Sequence, residues 1–244
     1  MSFQLLNLEA VAEYLHLTPA DIDQRVKDRE IPFEKRGDRV VFRKGEIDAW
    51  ASQRIMGFTE QRLASYHEKS TRDLQKFRPD EAILPEMLAA GAIASAMTSK
   101  TKSSVLRDLV ALAYKTGQLN DAKTLIESLE AREDLCSTAL PGGLAVPHLR
   151  AQEPYLFETS FIVIGRPVQE IFFGAPDGDP TYMFFLLCCQ DDRLHLHTLA
   201  RICMIAQKTD ALAQLRAAPD AGTMRDVLVA AEQEILAGAK KHSA

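Results

Sequence analysis

The sequence predicts an α/β protein in two parts: a small helical unit carrying one β-hairpin, then a C-terminal α/β sandwich whose mixed sheet is flanked by helices. Three observations carry this expectation. Two short apolar-striped helices and a Gly-Asp hairpin are packed into the first 56 residues. From about residue 80, helical and strand-like patterns alternate along the chain. A polar stretch, 57–79, lies between them.

The elements follow in order. Asn7 can cap a helix over 8–15, with Leu8, Val11, Ala12 and Leu15 on one face. After a turn at His16 and Leu17, Thr18 caps a second helix and Pro19 takes its first position. Ile22 and Val26 form the buried stripe of that helix, and Pro32 stops the chain beyond it. Residues 33–36 and 39–43 flank Gly37-Asp38, which suits a two-residue hairpin. Ile47 and Trp50 give a third helix its inward face. Together these make a winged helix-turn-helix pattern.

Residues 57–79 read as a linker helix or tether that could assist homodimer formation, ending at Pro79. Beyond it, Val105, Leu109 and Leu112 mark one helix, and Ala122, Leu125, Ile126 and Leu129 the next. Strands are expected at 144–146, 159–164, 169–173 and 181–189, and helices at 195–206 and 224–236.

Composition narrows the function classes. With 46% hydrophobic and 26% charged residues in 244, the chain is ordinary for a globular protein, which excludes wholesale disorder and fibrous classes. Its longest nearly unbroken apolar run, 182–189, is far short of the roughly 18–20 residues of a membrane helix, so no membrane insertion is expected. Acidic Glu9 and Glu13 stand where a signal peptide carries basic residues, which argues against secretion. Cys136, Cys188, Cys189 and Cys203 lack metal-ligand spacing and read as reduced thiols of a cytoplasmic protein. The net charge of −5 divides into −1 over 1–56, +2 over 57–79 and −6 over 80–244. No segment has the clear basic excess that strong nucleic-acid binders usually show.

LNLEAVAEYLHLTPADIDQRVKDREIPFEKRGDRVVFRKGEIDAWA resembles the excisionase-type DNA-binding domain, related to the MerR group, on the strength of EAVAEYL, the LTPADI turn, the following IP, and RGDRVVFRKGEIDAW. That resemblance implies a second helix in the major groove and a hairpin wing along the backbone or minor groove. Arg25 and Arg29 on the helix, with Lys35, Arg36, Arg39, Arg43 and Lys44 on the wing, would neutralise phosphates. Asp21 and Asp23 stand where the helix would meet the bases, which leaves open a second reading, a protein-contact domain with a solvated charged face.

In the C-terminal part, a Gly142-Gly143 loop leads through a short apolar strand to Pro147-His148. The proline fixes the backbone ahead of the histidine, and a neutral imidazole is a good nucleophile near neutral pH. Arg132, Glu133, Leu135, Ser137, Thr138, Gly143, Ala145, Pro147 and His148, continued by FLLCCQDDRLHLHTLARI, resemble the enzyme IIA domains of the fructose/mannitol type in the phosphoenolpyruvate-dependent phosphotransferase system, with their nitrogen-regulatory relatives. The resemblance implies that His148 accepts a phosphoryl group, that Arg132 stabilises it and that His195 donates to one of its oxygens. Such phosphohistidine transfer needs no cofactor. It also implies the histidine phosphocarrier protein as donor, and a IIB partner if the protein is a plain carrier. Pro141, Leu149 and Arg150 depart from the family's pattern. His195 and His197 could alternatively form a metal pair, but two residues apart on a helix they diverge by about 200° and lack a third ligand, so no metal is expected. His197 reads instead as a surface residue, and His16, His67 and His242 as isolated.

Taken together, 1–56 is expected to be a DNA-binding head, 57–79 a tether and 80–244 a phosphoryl-accepting domain. The expected function is a phosphotransferase-system regulator that couples phosphorylation of His148 to DNA binding and transcription, in a direction the sequence leaves open. The alternative is a plain sugar-specific IIA carrier whose N-terminal part contacts proteins.

Overall fold

The computed structural model describes residues 4–73, 82–150 and 153–242. The N-terminal unit, the head, runs β1 (Leu5–Leu6), α1 (Leu8–Tyr14), α2 (Pro19–Lys27), β2 (Glu34–Arg36), β3 (Arg39–Arg43) and α3 (Lys44–Met56). Both caps read from the sequence form. The Asn7 side chain accepts from the Ala10 N–H, and Thr18 and Asp21 make a reciprocal capping box; such caps are each worth about 1 kcal/mol. The hairpin pairs Arg36 with Arg39, and Gly37 at φ +62° supplies its left-handed turn. β1 adds antiparallel to the other edge of β3, giving the order β1-β3-β2.

After α4 (Glu60–Asp73) and the one-turn α5 (Leu84–Met87), the second part runs β4 (Ile93–Met97), α6 (Lys102–Lys115), α7 (Ala122–Leu135), β5 (Ala139–Leu140), β6 (Leu144–Ala145), β7 (Phe161–Pro167), β8 (Met183–Cys188), α8 (Asp192–Lys208), α9 (Ala211–Ala217) and α10 (Ala221–His242). Its sheet has the order β4-β7-β8-β6-β5, with β4/β7 and β6/β8 parallel and β7/β8 and β5/β6 antiparallel. Among the described residues no helix is long and apolar enough to cross a membrane.

The continuous apolar run around β8 has a simple cause: both faces of the strand are covered. Met183, Phe185, Leu187 and Cys189 join one core cluster, while Phe184, Leu186 and Cys188 join the other. The second cluster is closed by α6 and α7. The first continues through Leu196, Leu199 and Ile202 of α8 into Val11, Ile22, Phe42, Ile47 and Ile55 of the head. α3 and α4 both pack on α8, so the head shares a core with one face of the sheet. A fully buried side chain of this kind contributes about 1.5–3 kcal/mol.

Several expectations are corrected. Within 169–173, Ile171 and Phe173 are buried and Phe172 is exposed, as in a strand, but only Ile171 pairs, in a single bridge to Thr181. The segment adds to neither edge of the sheet, which ends at β4 and β5. β4, made largely of small residues, carried no strand signal and is held by parallel pairing to β7. Trp50 does pack against the core beside Ile47 as expected, but only partly buried, with its indole N–H donating to the Glu30 carbonyl at 2.6 Å. Arg29 stands beyond α2 in a left-handed conformation (φ +56°), so it does not share a helical face with Arg25. His197 is buried, not on the surface, and His67 is buried beside it. α4 is packed on α8 along its length, while the expected end at Pro79 lies outside the described residues.

Candidate functional site

The β5–β6 hairpin delivers His148 to the end of the sheet. Gly143 makes that hairpin possible: it adopts φ +86°, and a Cβ there would lie 2.1 Å from the Tyr182 ring. Pro147 follows β6, its carbonyl accepts from the Leu187 N–H at 2.9 Å, and His148 bridges in parallel to Leu187 of β8. Ahead of the hairpin, the buried Glu133 carboxylate accepts from the Thr138 backbone N–H (2.9 Å) and hydroxyl (2.7 Å), and pairs with Lys102 at 3.1 Å. Glu133 therefore fixes the loop that joins α7 to the site.

His148 is 1% exposed. Its Nδ1 lies 2.7 Å from the Val146 carbonyl oxygen. A carbonyl only accepts, so Nδ1 carries the proton and Nε2 carries the free lone pair. Among the described residues Nε2 has no hydrogen-bond partner. Burial, then the neighbouring His195 and Arg132, hold this imidazole far below its ordinary pKa, so it is neutral at physiological pH.

His195 lies in the first turn of α8, whose cap Asp191 accepts from the Leu194 N–H at 2.8 Å. Its ring centroid is 4.9 Å from that of His148. Burial, Arg132 and Lys44 push its pKa down to about 3. Arg132, buried in the last turn of α7, donates through Nη1 to the Cys136 carbonyl at 2.8 Å, while its Nε has no partner among the described residues. Burial lowers its pKa, but a guanidinium stays charged. The three residues singled out by sequence thus share one buried site: an unprotonated nitrogen, a second imidazole and a fixed cation.

The head covers this site. Ser52 of α3 places its Oγ 3.2 Å from His195 Nε2. Beside it, Lys44 pairs with Asp48 at 3.0 Å and also with Asp192 of α8, and the Tyr14 hydroxyl donates to Asp48 at 2.8 Å. Burial and Asp192, opposed by Lys44, raise the Asp48 pKa to about 6. Gln53 reaches Cys136 Sγ at 3.5 Å. Farther along, α4 is tied down by a buried polar cluster: Arg201 Nε donates to His67 Nε2 (2.8 Å), Arg201 Nη1 pairs with Glu232 (2.6 Å), and Ser70 Oγ meets His197 Nδ1 (3.0 Å). Sequence reasoning missed Ser52, Asp48 and Asp192, because nothing local marks a contact between segments more than 140 residues apart.

The remaining head residues are spread over its outer surface. Lys35, Arg36 and Arg39 are exposed on the hairpin. Arg36 and Arg43 pair with Glu34, and Arg25 with Glu30 at 3.0 Å. Lys44 is the exception, since it faces Asp192 and not the outer side of the wing. Asp21 is absorbed by the Thr18 capping box, which explains an acidic residue at the start of α2.

Residues 86–230 match the family described as phosphoenolpyruvate-dependent sugar phosphotransferase system, EIIA 2, and residues 5–55 match a helix-turn-helix domain. A nitrogen regulatory protein of Bradyrhizobium diazoefficiens is 32% identical over 148 residues, covering 59% of this chain and 94% of that protein. The fructose-specific EIIABC component of Bacillus subtilis is 25% identical over 147 residues, covering 59% of this chain but only 23% of that protein. Among solved structures, the nitrogen regulatory protein IIA-Ntr of Neisseria meningitidis superimposes with a TM-score of 0.55 at 23% identity, covering 60% of this chain and 99% of that one. The mannitol IIA of Escherichia coli, solved in complex with phosphorylated enzyme IIB, has a TM-score of 0.50 at 16% identity, over 59% and 97% of the respective chains. The C-terminal part therefore has the IIA fold.

Proposed function

The chain belongs to the phosphoenolpyruvate-dependent sugar phosphotransferase system EIIA 2 family, and on that premise we propose that it accepts a phosphoryl group on His148 and serves as a regulator with a DNA-reading head. The observation that carries this reading is the tautomer: Nδ1–H is committed to the Val146 carbonyl, so Nε2 presents its lone pair beside His195 and Arg132. In the transfer, Nε2 forms a bond to phosphorus while the bond from phosphorus to the donor's histidine nitrogen breaks. No proton leaves His148. Arg132 offsets the charge of the phosphoryl oxygens, and His195 donates to one of them.

The donor would be the histidine phosphocarrier protein. A IIB acceptor, as in the mannitol complex, belongs to the plain-carrier alternative. The helix-turn-helix match over 5–55, with α2 and the hairpin facing outward, favours the regulator. The proposed division is a head over 1–56, a linker helix or tether over 57–79 and a IIA domain over 80–244.

The test incubates the protein with phosphoenolpyruvate, enzyme I and the histidine phosphocarrier protein, then measures DNA binding in the same mixture. Labelling that His148→Ala abolishes supports the acceptor, and specific binding to a genomic fragment supports the regulator. Labelling without binding to any fragment would leave the plain carrier.

A further inference from the structure

We infer that the docked head and a phosphoryl group on His148 exclude each other: α3 is an intramolecular cap that must lift before His148 is loaded and stays displaced while it is loaded. This rests on the reading of His148 as acceptor and adds the regulation of that site.

Access supplies the first argument. Transfer between two protein histidines brings the donor's phosphorus to within roughly 3–3.5 Å of the accepting nitrogen. His148 is 1% exposed and His195 is 2% exposed. With Ser52 Oγ seated on His195 Nε2, α3 lies directly against the second imidazole of the site, whose Nδ1 has no partner among the described residues.

Charge supplies the second. A phosphoryl group brings roughly 1.5–2 negative charges and three acceptor oxygens. It would enter a contact already holding the Asp48 and Asp192 carboxylates, which share Lys44. Arg132 offsets part of the added charge, but the relay beside it already sets one ammonium, Lys44, against two carboxylates, so a further anion weakens the α3–α8 contact.

The two helices that cover α8 are held differently. Beside the apolar core that α3 shares with α8, the contact next to the site consists of a hydroxyl, an ion-pair relay and the Gln53–Cys136 contact, whereas α4 is further held to α8 by the buried Arg201, His67 and Glu232 network. α3 can therefore lift while α4 stays, pivoting at 57–59 between the two helices. One face of α2, with Asp21, Gln24 and Lys27, and the hairpin residues Lys35, Arg36 and Arg39 are exposed in the docked form. Undocking thus leaves the DNA-reading surface unmasked in both states and changes how firmly the head is oriented.

Cys136 provides the test, because it is the exposed cysteine and Cys188, Cys189 and Cys203 are buried. In Gln53→Cys, a short cleavable bismaleimide joins position 53 to Cys136 and locks the cap down. Wild type treated with the same reagent controls for modification of Cys136 alone. Labelling by the phosphocarrier system should fall at least about tenfold in the locked protein, within the usual span of coupling between sites, and return on cleavage. Ser52→Arg removes the hydroxyl from His195, wedges α3 away and leaves His148, Arg132 and His195 themselves unsubstituted, and should label faster than wild type. Equal rates in locked, cleaved and wild-type protein would overturn the cap and leave the acceptor standing. Absence of labelling in folded wild type and cleaved protein alike would overturn the acceptor, and the cap with it.

Discussion

Ser52 and His195 meet at 3.2 Å across 143 residues of sequence, hydroxyl to imidazole Nε2. One belongs to the third helix of the head and the other to the first turn of α8. Their contact makes the head part of the environment of His148, and the two matched regions of the chain, 5–55 and 86–230, meet at the site itself.

The first expectation concerns the groups around the acceptor. Arg132→Ala should slow single-turnover labelling by about 10²–10³-fold, the scale for removing one preorganised stabiliser of a developing anion. Arg132→Lys should recover only part of this, since an ammonium cannot reproduce the planar fork. His195→Ala should also slow transfer, although it releases Ser52 and loosens the cap. Wild-type rates in all three variants would remove Arg132 and His195 from the mechanism.

On the head, Arg36→Ala with Arg39→Ala should weaken DNA binding similarly on every sequence and lower the salt slope by about one for each phosphate no longer neutralised. Lys44→Ala should leave that slope unchanged, because the ammonium faces Asp48 and Asp192. Titrations of fluorescent duplexes across salt concentrations distinguish these outcomes. A Lys44 effect as large as that of the hairpin arginines would mean that DNA binds the undocked head.

The pH dependence of stability has a defined sign. His195 and His197 are held at about 3 and His67 at about 2, with burial the first cause in each, and His148 also lies well below 6.5. Unfolded, these groups bind protons that the folded form refuses, so their contribution is complete above about 6.5 and is lost as pH falls toward 3. Each approaches about 1.4 kcal/mol per pH unit inside that window. Asp48 opposes them between its ordinary 3.8 and about 6, because there the folded form holds the extra proton. Melting temperature should therefore drop steeply from pH 6.5 to pH 4, and more steeply in Asp48→Asn. A melting temperature that stays flat or rises on acidification would contradict the burial of these histidines.

Much of this architecture is written in local chemistry. Asn7, Thr18, Pro19 and Gly37 punctuate the head where caps and a left-handed turn are needed, and those elements form as read. The run around β8 is legible because both of its faces are buried. β4 is not, since Ala94, Ser95 and Ala96 are too small to announce a strand that exists through its pairing with β7. The divergence of His195 and His197 around α8 is real: one faces His148 and the other His67. The surface placement of His197 failed because α4 covers that side, and a helix packing from a distant segment leaves no local periodic trace. The same limit hid Ser52.

The most direct measurement is the identity of the phosphorylated atom. The protein is loaded from phosphoenolpyruvate through enzyme I and the histidine phosphocarrier protein. The labelled peptide is then mapped, and ¹⁵N NMR of the imidazole assigns the substituted nitrogen. With Nδ1–H held by the Val146 carbonyl, the expected product is a single phosphoryl group on Nε2 of His148. A phosphoryl group on Nδ1 of His148, or on any other residue, would contradict the account.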